Sequence, residues 1–362
     1  MFYTLAAAAI VLVVLTAVYL VSRFHRFSVI KKLSLGNKVL SWLLSVIPFA
    51  ALCLFALFNV TTMMIVMLYL AVSFVVCGVI AFIVRKVSGR RCSYDLTGCC
   101  AIVLTVICLG AGWYCAHHVF QTDYTVNTHK EIEKDVRVVE IADSHLGVTL
   151  DGAGFARQLE RIQSLRPDML VIVGDFVDDD SSFEDMKEAC RALGCFNAPM
   201  GIYYVFGNHD RGYSNYRDFD TSALIKELKD NGVVILEDEY VPVGNSFYMV
   251  GRKDRSDRSR ESADELLKGL DGDRYIIVLD HQPNDQRSEG AAGADLVLSG
   301  HTHGGHIFPA GQIGMLLHAN DQLYGMRKEG DTTFIVTSGL SGWAIPFKTG
   351  TFSEFVVIDI IK

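Results

Sequence analysis

Negative charge is almost missing from the first third of the sequence: residues 1–122 contain one acid, Asp95, against nine Lys and Arg. Charge of either sign is absent from 1–22, 39–84 and 96–122. Such runs exclude a water-soluble fold for this region, because a bilayer core takes about 20 apolar residues per helix. Metal-site cysteine spacing is missing as well. Seven of the nine cysteines (53, 77, 92, 99, 100, 108 and 115) fall within residues 1–122, where Cys acts as a small hydrophobe. The other two, Cys190 and Cys195, are close enough for a local disulfide or stand as two reduced thiols at a helix end. Neither an internal repeat nor a low-complexity tract is visible.

What is present is strongly divided. Half of the 362 residues are hydrophobic and 20% are charged, and the net charge of −8 splits into +8 for 1–122 and −16 for 123–362. This excludes a single globular domain, a disordered chain and a disulfide-stapled miniprotein. The −16 region is also a poor electrostatic match for nucleic acid, which is not expected as a partner.

The uncharged stretches predict an N-terminal four-helix transmembrane module over 1–122, with the middle stretch holding two spans that turn near Asn59 to Thr62. The first run has no basic residue before it and reads as a span rather than a cleaved signal. Lys and Arg concentrate in 23–38 and 85–95, which predicts that both loops are cytoplasmic and that everything after the fourth span is extracytoplasmic. Trp42, Trp113 and Tyr114 fall near span ends, as interfacial aromatics do. The spans carry no ionisable group except His117 and His118 at the last one's end, so the module reads as an anchor rather than a pump. Pro48 reads as a tolerated kink.

A polar linker is expected over 123–134, followed by a catalytic domain over 135–362. There, β-rich runs at Val136–Ile141, Met169–Val173, 201–206, 246–250, Tyr275–Leu279 and 294–298 alternate with helix-like stretches at 155–165, 183–193, 222–231 and 262–267. This predicts an α/β domain with a buried sheet. Two further strands are expected at 333–336 and 355–361, with no obvious helix between them.

Five of the runs end in metal-ligand residue types. The first gives Asp143 and His145, the second Asp175 and Asp178, the third Asn208, His209 and Asp210, the fourth His281, and the fifth His301, His303 and His306. Ligands of open α/β sheets gather at the carboxyl ends of strands, so these residues are expected in one crevice. Each fragment alone is as consistent with a turn or a core histidine. Together they crowd several carboxylates and imidazoles, which repel one another unless cations are present. Carboxylate, amide and imidazole donors without thiolate suit Mn, Fe or Zn, and the donors are too many for one tetrahedral ion. Two divalent transition-metal ions are therefore expected, with the chemistry of two-metal hydrolysis, in which a bridging hydroxide attacks a phosphoryl group.

The ordered fragments D-x-H, G-D-x-x-D, G-N-H-D, a lone His and G-H-x-H resemble the calcineurin-like metallophosphoesterase superfamily, in particular its membrane-associated branch whose last motif reads GHTHGG. The resemblance implies two packed β-sheets flanked by helices. It also implies one metal on Asp143, His145 and His303, a second on Asn208, His281 and His301, and Asp175 bridging both. His209, paired with Asp210, would contact phosphate or protonate the leaving group. A near-neutral imidazole beside a carboxylate suits that task. Asp178 is expected behind the ligands, and Asp179 and Asp180 as solvated loop charges. Substrate contacts are expected from Asn208, His209 and His306. The branch usually has Gln where this chain has His306 and Arg where it has Lys348, differences that bear on specificity rather than on metal binding.

The expected function is that of a membrane-anchored metal-dependent phosphoric ester hydrolase acting on a phosphate ester or pyrophosphate, with a lipid or lipid-linked phosphate as a candidate substrate. The apolar segment from Ile307 to Leu317 and the aromatics of Gly342 to Phe347 are candidates for an acyl-chain entrance. Two other readings are a catalytically silent metal-binding sensor or scaffold and a transporter with an accessory domain. A silent protein has no chemical need for the whole donor set, and a transporter is at odds with uncharged spans.

Overall fold

The computed structural model describes residues 2–57, 59–212 and 217–362. It separates into two compact units, Met1–Ala111 and Gly112–Lys362. The first holds α1 (Phe2–Phe24), α2 (Ser28–Leu33), α3 (Lys38–Cys53), α4 (Val60–Ser88) and most of α5 (Tyr94–His117). Three helical segments among the described residues are long and apolar enough to cross a membrane: Lys38–Leu57, in which a 3-10 turn extends α3, Val60–Ser88 and Tyr94–His117. The expected first span, 1–22, coincides with α1 but falls partly outside the described residues, so the span count reached here is three rather than four.

Helix ends in this unit follow from local chemistry. Asn59, at the expected turn, caps α4 by accepting the Thr62 amide at 2.6 Å. Gly89, at φ 70°, ends the same helix in the left-handed conformation that suits glycine. Asp95 accepts the amide of Ser28 at 2.9 Å. Leu20, Phe24, Met67, Leu70, Phe74 and Ala101 pack together inside the unit, and Pro48 lies within α3.

The second unit is built on two six-stranded sheets. The strands, in chain order, are β1 (Val119–Asn127), β2 (Val136–Ile141), β3 (Met169–Val173), β4 (Ile202–Val205), β5 (Val234–Ile235), β6 (Glu239–Val243), β7 (Phe247–Gly251), β8 (Tyr275–Leu279), β9 (Leu296–Ser299), β10 (Gly325–Glu329), β11 (Thr332–Val336) and β12 (Ser353–Ile361). The first sheet runs β1-β12-β2-β3-β4-β5 and the second β10-β11-β9-β8-β7-β6. Strands β2 to β5 are parallel, as are β7, β8, β9 and β11, while β2 with β12, β6 with β7 and β10 with β11 pair antiparallel. Val138, Val171, Val205, Ile277 and Leu298 meet in one buried cluster between the sheets.

The helices are α6 (Gly152–Gln163), α7 (Phe183–Gly194), α8 (Thr221–Asp230), α9 (Ala263–Leu267), α10 (Gln286–Ala291) and α11 (Ala310–Leu316). The first of these shows why they form. Asp151 caps it by accepting the Gly154 amide, and Phe155, Leu159 and Ile162 recur at one-turn spacing on the face turned to the first sheet's core. Burying Phe155 alone contributes about 2–3 kcal/mol.

One expectation changes, and one that stood open between two readings, Cys190 and Cys195 as a disulfide or as reduced thiols, is decided for the thiols. The polar segment assigned to a linker, 123–134, opens as part of β1, an edge strand parallel to β12, and the units divide at Ala111/Gly112. A polar, half-exposed edge strand lacks the apolar alternation that marks a strand in sequence. Cys190 and Cys195 are both free thiols. Five residues apart along α7 and its C-terminus, they project about 140° apart around the axis, which keeps them from bridging. Cys190 is buried, and burial pushes its thiol up to about 12.

Candidate metal centre

The ligand-type residues follow β2, β3 and β4 of the first sheet and β8 and β9 of the second, so the site is assembled where the carboxyl ends of both sheets meet. Three groups of donor atoms each lie within 4.8 Å of one another: Asp143 with His145 and His303, Asp175 with His281 and His301, and Asp178 with His145 and His209. The loops holding them are strained. Six of the eleven described non-glycine residues with positive φ are Asp143, His145, Asp175, His301, His303 and His306. Such conformations persist only where surrounding contacts enforce them, and they cluster at functional sites.

The glycines of the motifs have a steric reason. A Cβ on Gly207 would collide with the Asp175 carboxylate, and one on Gly300 would come within 2.5 Å of Asp143 Oδ2. Each glycine leaves room for a carboxylate from another strand end, Asp175 from the neighbouring β3 for Gly207 and Asp143 from β2 of the other sheet for Gly300.

In the first group, His145 turns Nδ1 to Asp178 Oδ2 at 2.9 Å, so its Nε2 faces inward, 3.1 Å from Nε2 of His303. Asp143 Oδ1 lies 3.6 Å from that His303 nitrogen and 3.9 Å from that of His145. Both oxygens of Asp143 accept the His301 amide. In the second group, His281 Nδ1 donates to the carbonyl of Val173 at 2.8 Å, which leaves Nε2 aimed at Asp175 Oδ2, 3.1 Å away. Two imidazole nitrogens face each other in one place, and a nitrogen faces a carboxylate in the other. A ring proton can hold either pair together, His281 Nε2–H donating to Asp175 in the second; these buried nitrogens and carboxylates, gathered from separate strands, also fit a divalent metal at both places.

The electrostatics agree. Burial opposes charge on Asp175, yet His281, His145 and His209 hold its carboxyl far below the usual range. Burial likewise works against charge on His281, and Asp175 overrides it, raising the imidazole well above its ordinary value. Burial and His145 push His303 well down, and burial and His281 lower His301 to about 4, leaving both as neutral donors. Burial and Asp175 raise Asp143.

The partner of His209 differs from the expected one. Asp210 spends both oxygens on backbone amides, Oδ1 on Phe176 and Val177 and Oδ2 on Asp175 and Gly207, all at 2.7–3.1 Å. It ties the β3 and β4 loops together, and burial with Asp175 nearby raises it to about 6. The carboxylate facing His209 Nδ1 is Asp178 Oδ1, 3.6 Å away. Burial opposes charge on His209, and Asp178 and Asp175 outweigh it, so its pKa is raised. Adjacency in sequence suggested Asp210, but the tight turn after β4 sends neighbouring side chains apart.

Asn208 is half-buried, and its Oδ1 lies 3.5 Å from Nε2 of Gln282, which donates to both oxygens of Asp254 at 2.9–3.1 Å. Neither Gln282 nor Asp254 was expected. A signal existed: β7 ends three residues before Asp254, as other strands end before their ligands, and Gln282 follows His281 directly. Lys348 is fully buried and donates to the carbonyls of Ser338 and Gly339 at 2.7 and 3.2 Å, so it braces the loop behind Asp143. Burial lowers it to about 7. His306 stacks on His303 with ring centres 5.3 Å apart, and Trp343 lies 5.5 Å from the His209 ring.

Comparison with known proteins supplies the family. The calcineurin-like phosphoesterase profile matches residues 136–305. A metallophosphoesterase of Aquifex aeolicus is 30% identical over 248 residues, covering 66% of this chain and 90% of that protein. The chain belongs to the calcineurin-like metallophosphoesterase family. A transmembrane protein with a metallophosphoesterase domain from Danio rerio is 28% identical over 255 residues, 66% of this chain and 56% of that one. The chain spans 61% of the length of a Helicobacter pylori metallophosphoesterase to which it is 30% identical. Among solved structures, a dimetal phosphatase from Danio rerio superposes with a TM-score of 0.40 at 11% identity, covering 64% of this chain and 94% of that one. The metallophosphoesterase region thus carries candidate metal-binding groups and follows long apolar helices in the same chain.

Proposed function

We propose that this metallophosphoesterase is a membrane-anchored, dinuclear-metal hydrolase of a phosphate ester or pyrophosphate. One observation carries the reading: the opposed donors of His145 with His303 and of His281 with Asp175, each pair 3.1 Å apart, converge from two different sheets. Asp143, His145 and His303 would hold one ion, Asn208, His281 and His301 the other, and Asp175 would serve both. Mn, Fe and Zn suit these donors. Bound there, such ions supply Lewis-acid polarisation of the phosphoryl group and activation of water.

The chain's own residues do the rest. Asp178 orients His145 through Nδ1 and faces Nδ1 of His209, turning His209 Nε2 away from that carboxylate. Against the pull of burial, Asp178 and Asp175 raise the His209 pKa, which favours its protonated form and suits Nε2 to hand a proton to the departing oxygen. Asp210 positions rather than reacts, by fixing the loops that bear Asp175 and His209. Asn208 and His306 are candidate substrate contacts.

Four spans, α1 included, anchor the enzyme, with loops 23–38 and 85–95 in the cytoplasm and the catalytic unit outside. One residue separates the end of α5 from β1, so the tether is short. A short tether favours a substrate carried by the membrane, a lipid or lipid-linked phosphate, because confinement raises its effective concentration. Metal analysis and ester hydrolysis by the full chain test the assignment. Close to two ions per chain and activity abolished by chelation are expected; no bound metal with chelator-insensitive hydrolysis overturns it. Reporter fusions at the two basic loops and the C-terminus test the orientation, and reporter signals of opposite sign reverse it.

A further inference from the structure

Among the described residues of the catalytic unit, ten large hydrophobics are exposed, and four of them fall between positions 308 and 317. Phe308, Ile313, Leu316 and Leu317 are 57%, 50%, 80% and 75% exposed, directly after the ligand loop that holds His301 and His303. The same stretch lacks charge: residues 296–320 contain no Asp, Glu, Lys or Arg, inside a region whose net charge is −16. A water-facing loop of an acidic domain has no reason to be both apolar and uncharged.

Helix geometry sorts α11 into two faces. At about 100° per residue, Ile313, Leu316 and Leu317 share one side and Gly311 lies roughly opposite. Gly311 packs directly on the Gly305 backbone, so closely that neither position has room for a side chain toward the other. The helix is therefore seated on the ligand loop by its glycine face, and its leucine face is left outward.

The place of this helix within the catalytic unit says what covers that face. Gly350 donates its amide to the His306 carbonyl at 2.9 Å, the Phe308 amide donates to Thr349 Oγ1 at 3.2 Å, and the Lys348 amide donates to the carbonyl of Gly112 in α5 at 2.8 Å. The segment leading into α11 is thus tied to the last turns of α5, beside Trp113 and Tyr114, which are half-exposed aromatics at the end of an apolar helix. Aromatics at that position mark the bilayer interface.

We propose that α11 is an interfacial docking helix whose Ile313, Leu316 and Leu317 face enters the lipid leaflet from which α5 emerges, setting the ligand loop at headgroup height so that the substrate is the phosphate of a membrane lipid. This rests on the reading of the chain as a membrane-anchored phosphoesterase. An uncharged apolar face held flat at the interface gains its binding from buried area. The glycine seat passes that depth to His301 and His303 without an intervening side chain.

Photocrosslinking tests the docking itself. With p-benzoylphenylalanine introduced at Leu316 of the full chain in phosphatidylcholine and phosphatidylglycerol vesicles, mass spectrometry should find lipid adducts; the same probe at Asp271 should give none. Crosslinks to a second copy or to the chain's own helices, or no adduct at either position, overturn the docking. A second arm tests the substrate. The double variant Leu316→Asp, Leu317→Asp should raise KM for dioleoyl phosphatidate in vesicles by about tenfold or more, with kcat/KM for p-nitrophenyl phosphate unchanged. Equal losses on the two esters, or no loss on phosphatidate, overturn the substrate assignment. Failure of the wild-type chain to hydrolyse either ester would instead count against the phosphoesterase reading, while the adducts still decide where α11 sits.

Discussion

The two units of this chain handle polar groups in opposite ways. In the first, the buried polar side chains among the described residues are the hydroxyls of Ser34, Ser41, Ser45, Thr62, Ser73 and Thr105, and those of Ser34, Ser45 and Thr105 donate to carbonyls three or four residues back in the chain. In the second, Asp143, Asp175, Asp178, Asp210, His145, His281, His303, Arg252 and Lys348 are all buried. Ser41 and Ser45 also meet Nδ1 of His25 at 3.2 and 3.3 Å, so these apolar helices satisfy small hydroxyls by their own backbone or one neighbouring ring and bury no ionised cluster among the described residues. A water-surrounded domain can assemble partners from distant strands and so can keep ionised groups dry. The candidate metal-binding groups therefore fall in the unit whose topology brings strand ends together.

The largest expected break of this contrast is Asp175→Asn. It removes the carboxylate proposed to serve both ions, so hydrolysis should fall by roughly 10³-fold or more, as loss of several kcal/mol of transition-state stabilisation implies. Metal content, measured on the same sample, should drop well below that of the wild type, while helix content in the membrane unit stays unchanged. Full activity with full metal would remove Asp175 from the bridging role.

Next comes His209→Ala, expected to lower kcat by roughly 10²–10⁴-fold with metal content near normal. The loss should shrink for esters with good leaving groups, which need no proton. Asp178→Asn sharpens the point, because Asp178 faces both His145 and His209. It should weaken metal binding by about 10–100-fold and also flatten the difference between leaving groups. Asp210→Asn should disturb loop stability without that leaving-group signature. The reverse pattern would return the pairing to Asp210.

Legibility in the sequence also differs between the units and within the second one. Strands β2, β3 and β8 fall at their expected boundaries because each is rich in β-branched or apolar residues, without break in β3 and β8 and interrupted by Arg137 and Glu140 in β2. Strands β1, β6 and β10 were not foreseen. They are edge strands, half-exposed and polar, with Pro242 inside β6 and Arg327 and Lys328 inside β10. Their pairing is decided by tertiary context rather than by pattern. The donor residues were legible because strand-end logic works one strand at a time. Which carboxylate turns to which imidazole was not, since Asp210 and Asp178 are separated by loop geometry that no spacing rule encodes.

The buried ion network beneath His281 offers a third break, now in stability. Arg252 is 1% exposed and its guanidinium meets Asp280, Asp285 and Glu289 at 2.8–3.4 Å. Arg252→Met leaves those carboxylates without it, so the catalytic unit should lose about 3–5 kcal/mol. Thermal unfolding followed by near-ultraviolet circular dichroism should register this as a lowered Tm, while the membrane unit's far-ultraviolet signal persists. An unchanged Tm would mean that Arg260, which also reaches Asp280, carries the network alone.

The smallest expected effect tests the same contrast at the surface. Arg137 and Asp359 form a two-point pair across β2 and β12, Nε to Oδ1 at 2.8 Å and Nη2 to Oδ2 at 2.9 Å, with both side chains more than a third exposed. The hydrogen bond from Arg137 holds the Asp359 carboxyl below its ordinary value. A carboxyl depressed in the folded state adds stability above the unfolded pKa, near 4, and loses it as pH falls through the folded value. Screening by water limits the contribution to below about 1 kcal/mol. Asp359→Asn should therefore lower the Tm of the catalytic unit by no more than about 2–4 °C at pH 7 and by nothing once the solution is acid enough to protonate both forms. Salt near 0.1 M should leave most of the difference, because the pair is far closer than the Debye length of about 10 Å, and only salt near 1 M, where that length is about 3 Å, should reduce it. A Tm loss that survives in acid would show that Asp359 acts through packing of the β2–β12 edge rather than through charge.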